Sequence, residues 1–167
     1  MTESYSSSTS SVLKTVANLG LSYEVIEIDP ALVDTALFCE DYGFPMEQSG
    51  NTIIVASKKE PKVFVACVVM ANTRLDVNKR VRKLMGVSKA SFASTEEMKG
   101  LTGMEVGGVT PLSLPEELKL YVDSRIMKLD WVLLGGGVRY QKIKISTEVF
   151  HQIGAEIVKN LALPINP

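Results

Sequence analysis

Residues 51–70 read NTIIVASKKEPKVFVACVVM, and their reading decides the architecture. Asn51–Ala56 and Lys62–Met70 are rich in β-branched and apolar residues, the composition of strands. The intervening residues 57–61 are polar and end in Pro61, so the segment predicts a turn and the pair a β-hairpin.

Elements read outward from this hairpin alternate between strand and helix. Upstream, Leu13, Val16, Ala17 and Leu19 fit a helix capped by Ser10 or Ser11 and stopped by Gly20. Tyr23–Ile28 alternates apolar with acidic residues as a strand does, and Asp29 and Pro30 end it. Val33–Tyr42 predicts a short helix closed by Gly43. Downstream, Asp76 is an N-cap for a helix whose apolar stripe is Val77, Val81, Leu84 and Met85, with Gly86 as its stop. Lys89–Ala93 predicts a short extended piece, and Ser94 with Glu97 has capping-box spacing for a helix to about Leu101. Leu118–Val122, Trp131–Leu134 and Gln141–Ile145 read as strands, the last two separated by Gly135, Gly136 and Gly137. A final helix is expected from the cap Thr147 through Val149, Phe150, Ile153, Ile157, Val158 and Leu161 to Pro164. This order lacks the βαβα rhythm of a doubly wound sheet. It predicts an α/β chain of the α+β type: one domain over 12–164, with a mixed, largely antiparallel sheet flanked by helices, preceded by a disordered segment over 1–11.

Composition limits the function. The chain has 167 residues, ordinary hydrophobic and charged contents, and a formal net charge of −1. There is no global pull towards nucleic acid, so any RNA contact must come from a local patch. Cys39 and Cys67 have no CxxC spacing, and His151 is the only histidine. A disulfide framework, a zinc site and a Ser-His-Asp triad are not expected, nor is any metal or organic cofactor. Acidic neighbours of Cys39, Glu40 and Asp41, argue against a thiolate nucleophile. Residues 135–137 lack GxGxxG spacing, and no GxxxxGK[ST] occurs, so no nucleotide loop is read. Neither a secretion signal nor a membrane span is read from the sequence, and a cytoplasmic protein is expected.

The segment 102–112, TGMEVGGVTPL, carries the strongest chemical signal. Two adjacent glycines let backbone approach a ligand closely, and Pro111 fixes the exit of the loop. Such a loop can aim N–H groups at a carbonyl oxygen. Taken alone, it reads first as a tight turn between strands, because glycine pairs in loops are common, and Glu105 as a solvated turn residue. On the helix after Asp76, Lys79, Arg80, Arg82 and Lys83 lie opposite the apolar stripe. That face is either solvated or a phosphate-contacting patch.

With Gly107 and Pro111, this segment resembles the GxxxP loop of the YbaK and prolyl-tRNA editing domain family. The order of the surrounding features agrees: the strand Asn51–Ala56 before a hairpin, Arg74-Leu75-Asp76 before a helix, Tyr121-Val122-Asp123, and a strand ending in Gly135–Gly137. The resemblance spans about Tyr23 to Leu161. It implies the fold of that family and a trans-acting deacylase that hydrolyses the ester of mischarged tRNA. The implied partners are the acceptor end of a tRNA carrying a small amino acid and an aminoacyl-tRNA synthetase, with no DNA and no membrane. It further implies that Gly107, Gly108 and Val109 polarise the ester carbonyl through their N–H groups. Thr110 or Asn51 would orient water or the ribose hydroxyl, and Asp123 would orient the loop. Pro111, Gly135 and Gly136 would bind substrate, and Arg74, Lys79, Arg82 and Lys83 would contact tRNA. One position departs from the pattern: the family's editing members carry a lysine where Asn51 stands, and Lys58 and Lys59 lie at the far end of that strand. A binding module of the same fold, holding tRNA, an aminoacyl group or a synthetase without hydrolysis, is therefore the alternative.

Overall fold

The computed structural model describes residues 7–29, 31 and 42–165. In chain order the elements are α1 (Ser7–Asn18), β1 (Tyr23–Glu27), β2 (Gly50–Ser57), β3 (Phe64–Met70) and β4 (Thr73–Leu75). A π-helical turn, Val77–Val81, runs into the α-helical turn Arg82–Met85, and the two together form α2. Next come β5 (Ala90–Phe92), α3 (Thr95–Thr102), β6 (Lys119–Asp123), β7 (Trp131–Gly135) and β8 (Gln141–Ser146). The chain ends with α4 (Val149–Gln152), β9 (Glu156–Val158) and β10 (Ala162–Pro164).

The hairpin is the centre of the molecule. β2 and β3 pair antiparallel from Gly50↔Met70 to Ala56↔Phe64. They belong to a five-stranded sheet of order β5-β2-β3-β6-β9, in which β3-β6 and β6-β9 are parallel. The uninterrupted apolar run of β3 has a physical cause: this strand is buried on both faces. Ala66 and Val68 face a core shared with Val12, Val16, Leu134, Ile143 and Phe150. Val65, Cys67 and Val69 face a second core with Leu75, Val81 and Leu161. The first core lies between this sheet and an antiparallel three-stranded sheet of order β1-β8-β7, and the second is covered by α2 and the β4-β10 pair. Burial pushes the Cys67 thiol up to about 12.

The expected α+β architecture, mixed and largely antiparallel, is present. The predicted local signals are seen at the Asp76 cap, where the carboxylate accepts from the Lys79 N–H. They are also seen in the capping box of α3, where Ser94 and Glu97 exchange hydrogen bonds. The Ser94 N–H donating to the Glu97 carboxylate holds that carboxyl below its usual range.

Two expectations are corrected. The long final helix does not form: α4 is one turn, Gly154 follows at φ 77°, and β9 and β10 take over. Thr147 does not cap it but donates from Oγ1 to the Leu129 carbonyl. Ile157 and Val158 instead add β9 alongside β6, where β-branched residues fit better than on a helix. At the other end, α1 begins at Ser7, ahead of the cap expected at Ser10 or Ser11. The expected Val33–Tyr42 helix and Cys39 lie outside the described residues, Tyr42 apart.

Candidate active site

The loop at 103–111 is held against the turn after β7 chiefly by backbone hydrogen bonds. Gly137 N–H donates to the Gly108 carbonyl at 2.6 Å, and Glu105 N–H donates to the Gly137 carbonyl at 3.1 Å. The Glu105 carboxylate accepts from Arg139 N–H at 2.9 Å, so this exposed residue ties the two turns together. Glycine is needed here for two reasons. Gly107 has φ 87°, in the left-handed region. Gly108 and Gly135 are needed for contact: a Cβ on Gly108 would sit 2.6 Å from Val138 backbone, and one on Gly135 would fall against the Val109 carbonyl oxygen.

A cleft of about 240 Å³ opens beside this junction, lined by Asn51, Ile53, Gly107, Val109, Gly135 and Lys142 among others. Larger clefts of about 430 and 560 Å³ lie elsewhere, but this is the one that meets the glycine loop. Its lining also contains a residue that the sequence reading missed. Lys142, the second residue of β8, is 9% exposed and stands directly across from Gly135 on β7. The signal was available: in residues 141–146, QKIKIS, Ile143 and Ile145 alternate with Lys142 and Lys144. Strand alternation places both lysines on the face turned away from the first core. Lys144 covers the Trp131 ring at 4.3 Å, whereas Lys142 reaches the cleft.

The predicted site residues divide. Asn51, Gly107, Val109 and Gly135 come together in the cleft. Gly108 does not offer its N–H, which donates to the Glu105 carbonyl at 2.9 Å. The N–H groups of Gly107 and Val109 donate to no described residue, which leaves these two as the loop's available donors. Thr110 is fully buried, with Oγ1 accepting from the Leu112 N–H, and cannot orient water in the cleft. Pro111 lines the separate cleft of about 560 Å³ with Leu112 and Leu118. Gly136 packs under the Gln141 side chain, whose Nε2 donates to its carbonyl.

Asp123 is buried, and its two oxygens accept from Arg125 N–H and Ala162 N–H at 2.9 Å each. It fastens β10 rather than the glycine loop. Among the expected tRNA contacts, Lys79 and Lys83 are exposed on α2. Arg82 is committed to the Asn78 and Val87 carbonyls of its own turn, and Arg74 lies apart on β4. His151 is exposed on α4.

Two main-chain N–H groups that donate to no described residue and one lysine thus belong to residues lining the same small cleft, a set that can stabilise negative charge on an oxygen where the donors face it. Among the described residues, Lys142 is the only titratable side chain of the lining, and none of them brings a carboxylate or imidazole to the cleft.

The chain belongs to the aminoacyl-tRNA editing domain family, whose model matches residues 29–153. The fold is that of solved structures of similar size. One, described as a "putative trans-editing enzyme for prolyl tRNA synthetase", superposes with TM-score 0.80 at 22% identity, covering 98% of this chain and 100% of that one. A hypothetical protein superposes with TM-score 0.80 at 25% identity, over 91% of this chain and 99% of the other. Among the described residues, no helix is long and apolar enough to cross a membrane.

Proposed function

We propose that this chain is a free-standing aminoacyl-tRNA deacylase, acting in trans on a tRNA that carries a small, wrong amino acid. The observation that carries this reading is that Gly107, Val109 and Lys142 line one cleft, and that the Gly107 and Val109 N–H groups donate to no described residue. Water attacks the ester carbonyl carbon, the carbonyl oxygen becomes an oxyanion held by the two N–H groups, and the tRNA ribose oxygen departs with a proton. Lys142 supplies the positive charge that Asn51 cannot, next to the developing oxyanion or the terminal phosphate. The described lining holds no carboxylate or imidazole, and the proton of the attacking water passes to a hydroxyl of the substrate or to solvent. The part of the cleft beside the glycine loop, about 240 Å³, has room for a small acyl group. A second sieve of this kind is needed because one methylene is worth only about 1–3 kcal/mol to a synthetase.

The neighbour described as a putative trans-editing enzyme for prolyl tRNA synthetase supplies the first panel to try, Cys-, Ala- and Ser-charged tRNA-Pro, and that synthetase as the first partner to test. Ester loss above the spontaneous rate that disappears in Gly107→Val, a change disfavoured at φ 87°, is the expected result. No release across the panel, in a protein that still binds tRNA, would favour the binding module that Asn51 suggests.

A further inference from the structure

The small cleft does not end at Asn51. Asn51 and Ile53 also line a second cleft of about 550 Å³, which continues past Arg74 and Phe92 to Ile165. A third, of about 430 Å³, shares Arg74 and Phe92 and reaches Lys58. The three form one groove along β2, whose length from Asn51 to Ser57 is roughly 20 Å. Strand alternation puts Asn51, Ile53 and Val55 on one face, and Phe92 of β5 pairs with Val55 on that same face.

Phe92 is the most exposed large apolar residue described, at 61%. Nothing in the packing explains it: β5 is the outer strand of its sheet, and Phe92 belongs to neither core of that sheet. Arg74 and Lys58, both exposed, line the groove beside it. Among the described residues neither has a carboxylate partner. Asp76 also lines this stretch, but its carboxylate caps α2.

We propose that this groove takes the unpaired 3′ end of an RNA: a base stacks on Phe92, and Arg74 and Lys58 meet the phosphates. The strand then delivers its terminal ribose to the space beside Gly107, Val109 and Lys142. An aromatic face flanked by cations is the general solution for binding single strands without reading sequence. Continuity with the ester cleft favours RNA over a peptide added to the β5 edge. The inference rests on the deacylase reading for its direction, but its test does not.

The test measures binding rather than turnover, with uncharged tRNA and the same tRNA trimmed of its unpaired 3′ nucleotides, at 50 mM salt and above. Untrimmed tRNA is expected to bind more tightly than trimmed. Phe92→Ala should weaken binding about 5- to 150-fold and erase that difference, while Phe92→Tyr keeps it. Arg74→Gln should reduce the log–log salt slope by about 0.7, the value of one single-strand phosphate contact. Equal binding of both tRNAs, Phe92→Ala indistinguishable from the wild type, or no tRNA binding at all would overturn the groove. Ester hydrolysis that continues despite such a result would leave the deacylase reading standing. Groove-dependent binding without hydrolysis on the aminoacyl panel would do the reverse.

Discussion

Gly108→Ala tests whether catalysis depends on the exact seat of the glycine loop. The added Cβ would lie 2.6 Å from the N and C of Val138 and 2.7 Å from its O, where ordinary contact begins at 3.4 Å. The obstacle is backbone, so no rotamer relieves it, and the loop must lift from the β7 turn by roughly 0.8 Å. The folding cost of such overpacking is about 1–3 kcal/mol, within reach of a typical domain's stability. The catalytic cost is larger in proportion. Gly107 and Val109 flank the substituted residue and move with it, and a misplacement near 1 Å costs on the order of 10²-fold. Oxyanion donors act on the transition state, so the loss should fall on kcat and leave KM nearly unchanged. Initial rates of ester release from the best aminoacyl-tRNA of the panel, with a thermal melt and a circular dichroism spectrum of each protein, measure both terms. A folded Gly108→Ala protein with kcat/KM within about threefold of the wild type would refute the assignment of this loop to the reacting carbonyl.

Further outcomes follow from other residues. Lys142→Met keeps the length of the side chain and removes its charge, and should lower kcat/KM about 10- to 100-fold, the worth of a charge-assisted contact, in a protein whose circular dichroism spectrum shows it folded. The rate of hydrolysis should rise with pH without the inflection of a carboxylate or imidazole base, because the described lining has neither; a bell-shaped profile centred below pH 7 would count against the mechanism. The Cys67 thiol is raised from 9.0 to about 12 by burial, so above pH 9 the native state holds a proton that the unfolded state has lost. Stability should therefore fall between pH 9 and 12, by up to about 1.4 kcal/mol per pH unit, and Cys67→Ala should remove that part of the slope in chemical denaturation. Gly100→Ala in α3 meets nothing within 4 Å and should raise stability by about 0.5–1 kcal/mol with activity unchanged, a control for the glycines that are packed.

The legible part of the fold was the part in which local preference and tertiary demand agree. The apolar run of β3, the Asp76 cap and the Ser94–Glu97 box are each favoured by their own sequence and by their surroundings. The last helix failed where they part. Residues 149–161 have apolar spacing that suits either periodicity, and the free edge of β6 decided for a strand, with Gly154 as the break. Propensity cannot weigh an edge that only exists after β6 has formed.

The site was half legible for a related reason. Its donors are main-chain groups, so sequence marks them only through the glycines that their approach requires. A glycine pair shows that backbone comes close to something without showing what. Gly108 and Gly135 turn out to be glycines because two loops press on each other, whereas Gly107 and Gly137 are glycines for their φ angles. Once the loop is anchored in this way, any residue across from it inherits a role. In the mechanism proposed above Lys142 has one because it faces Gly135 across the β7–β8 ladder, a register set by strand pairing and invisible in the spacing of the motif. On that proposal the charge missing at Asn51 would be supplied from the opposite wall of the cleft, some ninety positions along the chain. A single departure from a linear motif is therefore weak evidence for lost chemistry until the far wall of the same cleft has been read.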